Sequence, residues 1–342
     1  VTDYDNYISL KLAGDDAYLS EKMVGYPAEL DEVYAENFEE QKKEWFSCVG
    51  DGIQECRNTW EHKKWNITDF PEFELAITID RPELYYDFLQ KDWTRFCHDY
   101  WKNNFLEHHT LSQKRVTRIY IGNQFCHNLF PRKELLFQVL EKALENNLAV
   151  TLAFSYIRNH LLEEIDELLQ ELEVWCQSRE KEAGKDQEEI IVNDWAMPIL
   201  LQGKPHLKPV LGVLLNKRRK DVRLPYKHGI GNHVDSLAEN NLNCGFYQDY
   251  LKNTFDIQRF EFESCGYKVT IPDGHHSLHL PFFQTNTSQY CTLYAVCRYG
   301  DRGKQKLPEN CPRYCNKKVF LYPKHLKMVG RYNSLFGYDE KI

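Results

Sequence analysis

The chain has no CxxC pair, no GxxxxGK[ST] loop, no GxGxxG following a strand and no GxSxG elbow. Those absences leave phosphate-loop, dinucleotide-fingerprint and serine-hydrolase chemistry without motif support. No apolar run nears the roughly 18 residues of a membrane helix. The longest, Val210-Leu211-Gly212-Val213-Leu214-Leu215, has the length of a strand. Basic residues are outnumbered, 43 against 51 acidic for a net charge of −8, so coating nucleic acid is an improbable main role. The first residues, Val1-Thr2-Asp3-Tyr4-Asp5, are polar and acidic and show no secretory pattern. The expectation is a cytoplasmic protein with no membrane attachment.

Cysteine, by contrast, is plentiful. Eleven in 342 residues, in a chain expected in a reducing compartment, point to metal or redox chemistry before disulfides. With 42% hydrophobic residues the chain can bury a full core.

From about residue 71, strand-like and helix-like segments alternate. Leu75–Ile79, Arg118–Gly122, Leu148–Phe154, Ile190–Val192, Pro209–Leu215, Ile257–Phe262 and Leu278–Phe283 read as strands. Between them, Leu135, Leu136, Val139, Leu140, Ala143 and Leu144 mark an amphipathic helix opened near Pro131 and stopped by Asn146-Asn147. This rhythm predicts an α/β fold: a (β/α) barrel or incomplete barrel of parallel strands over residues 71–342. Residues 1–70, rich in acids and aromatics, read as a helical N-terminal extension.

The C-terminal third contains Cys291-x5-Cys297-x13-Cys311-x3-Cys315. An isolated cysteine is usually a small buried hydrophobe. Four within so short a polar stretch favour a metal centre. Structural zinc normally uses CxxC knuckles, so the irregular gaps favour an iron–sulfur cluster, with zinc as the alternative. Cys126 follows a predicted strand end, where barrels present functional loops, and is placed to join Cys297, Cys311 and Cys315.

Further candidates carry two readings each. Asn193 and Asp194 end a predicted strand, where an acid serves as general base or simply caps a helix. His275, His276 and His279 cluster in a polar stretch; His275 and His279 share a strand face and would bind a metal or an anion. Lys217-Arg218-Arg219-Lys220, with Arg223 and Lys227, would hold a carboxylate or phosphate, or be a solvated charge run. Asn193, Asp194, His275 and His276 are the candidate catalytic residues.

Several of these segments resemble the UbiV-type proteins of the collagenase-like peptidase superfamily. They are Ile119-Tyr120-Ile121-Gly122 with Cys126 after it, Arg132-Lys133-Glu134-Leu135, Ile191-Val192-Asn193-Asp194, Val210-Leu211-Gly212 into Lys217-Arg218-Arg219, and Cys297-x13-Cys311-x3-Cys315. The resemblance spans roughly residues 73–325. It implies a barrel-like fold with a [4Fe-4S] cluster on Cys126, Cys297, Cys311 and Cys315; Cys291, a departure from the family pattern, is a competing ligand that gives the alternative quartet Cys291, Cys297, Cys311 and Cys315. It also implies oxygen-independent hydroxylation, of a quinone ring in one branch and of RNA bases in others, with prephenate implicated as oxygen donor. A second, related subunit or a homodimer goes with it. The N-terminal 70 residues and the stretch around His275 depart from the family pattern and point to a different substrate, whether small molecule, peptide or RNA. Outside the resemblance stand two alternatives: a zinc-stabilised binding protein, and a hydrolase using Asp194 with His275 or His276.

Overall fold

The computed structural model describes residues 73–339, apart from 105, 184–186, 221–237, 266–268, 302, 305, 309 and 322–327. The expected N-terminal extension, Arg223 and Lys227 lie outside the described residues.

Seven strands form one sheet in sequence order: β1 (Leu75–Ile79), β2 (Val116–Gly122), β3 (Ala149–Ala153), β4 (Glu188–Val192), β5 (Leu207–Leu211), β6 (Arg259–Glu263) and β7 (Ser277–His279). Every neighbouring pair is parallel. Helices connect them: α1 (Pro82–Gln90), α2 (Trp93–Asn103), α3 (Lys133–Glu145), α4 (Leu162–Ala183), the short α5 (Met197–Leu200) and α6 (Gly245–Phe255). This is the expected α/β incomplete barrel, since β1 and β7 do not pair with each other.

The curl of the sheet is fixed by contacts across its interior. In a flat sheet β2 and β6 would stand about 19 Å apart, four spacings of nearly 5 Å. Yet Tyr120 on β2 hydrogen-bonds Glu261 on β6 at 3.0 Å. The Tyr120 phenol also lies 2.8 Å from Ser277 Oγ on β7.

The period-2 alternation of each strand sorts its residues between two environments. Ile77, Ile79, Ile119, Ile121, Leu152, Ile190, Val192, Leu211, Phe260 and Phe262 face outward into the main core. There they meet the stripe predicted on α3, Leu136, Val139, Leu140 and Ala143, and the aromatic face of α1 and α2, Tyr85, Phe88 and Phe96. The inward set is smaller and more polar: Tyr120, Ala153, Ile191 and Val210, with Ala76 packed against them, accompany buried charges described below.

Two boundaries differ from expectation. The run Val210–Leu215 is strand only to Leu211; Gly212 donates its N–H to Val192 O at 2.7 Å and the chain turns. The segment Leu278–Phe283 splits between two sheets. β7 ends at His279, and β8 (Phe282–Thr287) begins a separate antiparallel sheet. The remaining elements are α7 (Thr292–Tyr299), β9 (Phe320–Leu321), β10 (Met328–Arg331) and β11 (Ser334–Tyr338), and the second sheet runs β8-β11-β10-β9.

Candidate metal centre and barrel mouth

β2 ends at Gly122, whose φ of 113° lies in territory glycine favours. The next residue organises the loop: Asn123 Oδ1 accepts the N–H groups of Phe125 and Cys126, each at 2.9 Å. Cys126 is thereby presented at the C-terminal rim of the sheet. Cys291 arrives from the other direction, as the residue capping α7; its sulfur accepts the Tyr294 N–H and its thiol donates to Tyr332 O at 2.9 Å. Cys315 lies in a single 3-10 turn, Tyr314–Asn316, tied by Arg331 Nε donating to its carbonyl at 3.3 Å.

Cys126, Cys291, Cys311 and Cys315 line one small cavity, walled otherwise by Leu129, Leu293 and tyrosines including Tyr332. Each of these four sulfurs lies within electrostatic reach of the other three. Burial pushes the thiols of Cys126, Cys291 and Cys315 up to about 12, so each keeps its proton unless a metal replaces it. Cys297 is different. It lies near the end of α7, its thiol raised by burial and eased by Lys318, and it does not line the cavity. The structure therefore gathers three of the four expected ligands and sets Cys291 where Cys297 was expected. Among the described residues, no group of three or more His, Cys, Asp or Glu side chains is placed to hold a metal ion.

The cavity is tied to the barrel. The Tyr332 hydroxyl donates to Asp80 Oδ2 at 2.7 Å, just past the end of β1. Asn333 Nδ2 donates to the Tyr156 hydroxyl at 3.0 Å, in the loop after β3. Phe125 and Phe336 meet edge to face at 4.9 Å. The C-terminal sheet thus seats the cysteine cavity on the rim where parallel strands end.

The other candidates take structural positions. Asp194 Oδ1 accepts the N–H groups of Ala196 and Met197 at 2.9 and 3.0 Å, and Oδ2 takes the Ile157 N–H. Both carboxylate oxygens serve backbone N–H groups, in the turn before α5 and in the loop after β3. Asn193 is buried; its Nδ2 donates to Phe154 O and Gln124 Oε1, and its Oδ1 accepts the Leu214 N–H. It binds three loops together. His275 is exposed. His276 stacks on Phe260 at 4.8 Å, its Nδ1 accepts the Phe260 N–H at 3.2 Å, and burial lowers its pKa. In the basic run, Lys220 ion-pairs with Glu263, while Arg218 donates to Glu263 O and Cys265 Sγ. These two cations serve the protein itself.

His279 is the histidine that enters the barrel. Its Nε2 hydrogen-bonds Glu261 Oε2, a carboxylate with no exposure at all. Glu261 Oε1 accepts from the Tyr120 hydroxyl at 3.0 Å, with Arg259 Nη2 at 3.8 Å. One layer deeper, Glu189 receives Arg118 at 2.9 Å, Thr151 Oγ1 at 2.7 Å and Arg259. Burial alone would raise Glu261 and lower His279. The pair's mutual hydrogen bond and charge, helped at Glu261 by Arg259 and Tyr120, reverse both directions, so Glu261 is lowered and His279 raised. Tyr120 stands in the run Ile119-Tyr120-Ile121-Gly122 quoted above, whereas Glu261 and Arg259 escape a motif search. Their signal is Arg259-Phe260-Glu261-Phe262-Glu263, charges at alternate positions of a strand whose other face is aromatic.

No protein-family model, curated protein or solved structure matches this chain. The likeness to UbiV-type proteins thus stands on the motifs alone.

Proposed function

We propose that this chain is an iron–sulfur protein that holds a [4Fe-4S] cluster on Cys126, Cys291, Cys311 and Cys315. The observation that carries this reading is one cavity onto which four thiols converge from sequence positions as far apart as 126 and 315. The donor set fits the group, because four cysteine thiolates are its ordinary ligands. The neighbourhood fits as well. Burial raises the thiols of Cys126, Cys291 and Cys315 in a tyrosine- and leucine-walled space, and Arg331 lies close enough to Cys315 to offset negative charge.

Such a cluster supplies one-electron chemistry when bound. Asn123 and the cap of α7 hold their cysteines in position, and Tyr332 links the cavity wall to Asp80 at the rim. The barrel mouth beside this cavity is where a substrate of this fold class binds. On the strength of the motif resemblance, the reaction in this proposal is redox modification, most concretely oxygen-independent hydroxylation. A related second subunit and a cytoplasmic setting belong to the same proposal. No helix among the described residues is long and apolar enough to cross a membrane. The hydrolase alternative draws no support from Asp194, whose oxygens are taken by backbone N–H groups.

Iron, acid-labile sulfide and zinc measured on chain purified without oxygen test the reading. About four iron and four sulfide per chain are expected. One zinc with no sulfide overturns it.

A further inference from the structure

The buried pair inside the barrel has the geometry of a working histidine. Glu261 is a carboxylate, so the ring nitrogen bonded to it, Nε2, carries the proton. Neutral His279 then bears its lone pair on Nδ1. That atom makes no hydrogen bond among the described residues, and 24% of the side chain is open to solvent. One ring nitrogen is thus anchored on a buried acid, and the other is without a partner among the described residues. When Nδ1 takes a proton, the imidazolium sits against the Glu261 carboxylate, an arrangement that favours the charged ring.

The surroundings narrow the visitor. The interior charges are matched within the protein: Glu189 by Arg118 and Arg259, Glu261 by His279 and Arg259, Glu263 by Lys220. Among these described groups, no carboxylate is left without a cationic partner. The groups around the dyad are neutral amides, Gln124 beside His279 and Asn216 behind Glu261. Asn216 Nδ2 donates to Glu261 O at 3.0 Å, while its Oδ1 is buried with no hydrogen-bond partner. A buried acceptor left unpaired is costly.

We propose that the half barrel carries an acid–base site in which His279 Nδ1 exchanges a proton with a neutral, hydroxylated small molecule entering at the C-terminal mouth, Glu261 positioning the ring. This deepens the redox reading and rests on it for the reaction that the proton serves. The step balances simply: the substrate's O–H or activated C–H bond breaks, its electron pair stays on the substrate, and an N–H bond forms on Nδ1. Tyr120 holds the second oxygen of Glu261 and is, like Glu261, a positioning residue.

The test uses full-length protein purified without oxygen and diethyl pyrocarbonate, which acylates accessible unprotonated imidazole nitrogens. Peptide mass spectrometry is expected to show His279 modified, with a yield that rises with pH through its titration, and exposed His275 as the internal control. In parallel, ring-15N histidine spectra are expected to show the Nε2–H tautomer in the wild type. Glu261→Gln is expected to lower the His279 titration midpoint toward the ordinary 6.5, and Tyr120→Phe to move it less. His279 left unmodified while His275 reacts overturns the proposal, as does a midpoint indifferent to Glu261→Gln. The wild-type acylation result holds even where a variant fails to fold. Iron content is read on the same samples. Reactive His279 in iron-free, zinc-bearing protein sinks the cluster and leaves the acid–base site standing.

Discussion

A Cβ at Gly212 would stand 2.1 Å from Asn193 Oδ1 and 2.7 Å from Ile191 Cγ2. Neither neighbour has room to give, since Asn193 is pinned by Phe154 O, Gln124 and Leu214 N–H and Ile191 is fully buried. Glycine at this position is therefore a packing requirement of the mouth, and its conformational freedom is secondary. Gly212→Ala is expected to destabilise the fold by about 1–3 kcal/mol, the usual cost of overpacking. In a urea melt this appears as a lower midpoint at unchanged slope. A midpoint equal to wild type would mean that Asn193 is not held as described. Asn193 itself read from sequence as a candidate catalytic residue. A strand end places catalytic residues and loop-holding amides alike, so position alone does not separate them, whereas the number of backbone groups a side chain satisfies does.

At the scale of elements, α7 decides which cysteines face one another. Cys291 caps its N-terminus and lines the cavity with Leu293 and Tyr294, whereas Cys297, four residues past Leu293 on the same face, packs against the same apolar cluster one turn farther along and does not line the cavity. Linear spacing such as x5 and x13 does not say how far along a helix each cysteine sits until the helix is located. That is why Cys126, Cys311 and Cys315 were legible in sequence and the choice between Cys291 and Cys297 was not. The seven strands were legible for a different reason: each buries an outward apolar set, and alternation reports it directly. The polar interior of β6 was not, because Arg259, Glu261 and Glu263 at alternate positions read equally well as a solvent face. The antiparallel sheet escaped too, its β8–β11 pairing joining residues such as Thr287 and Ser334 that are far apart in sequence. The element-scale prediction follows from α7. Cys291→Ala is expected to lose most of the bound iron and Cys297→Ala to keep it, measured as iron per chain with far-ultraviolet circular dichroism as the control on folding. Iron lost only from Cys297→Ala would restore the ligand set implied by the family resemblance.

Over the whole molecule, the open barrel places ionisable groups where complete barrels commonly stack branched aliphatics, and this ties stability to pH. Glu261 on β6 is faced by His279 from β7, Tyr120 from β2 and Arg259 from its own strand; His279 also feels Glu263. The raised His279 pKa contributes stability that is fully present below the ordinary 6.5 and is lost as pH rises through the folded value. The lowered Glu261 pKa contributes stability that is present above the ordinary 4.5 and is lost as pH falls through its folded value. Both contributions coexist between 4.5 and 6.5. Other groups titrate there as well, so the informative quantity is a difference between two proteins. The stability gap between wild type and the double variant Glu261→Gln with His279→Gln is expected to be widest inside that window. It should narrow on both sides, as urea melts across the pH range will show. A gap that stays constant with pH would mean that the pair is held by hydrogen bonding between neutral groups. His279 would then lack the stabilised imidazolium on which its proton exchange at the mouth depends.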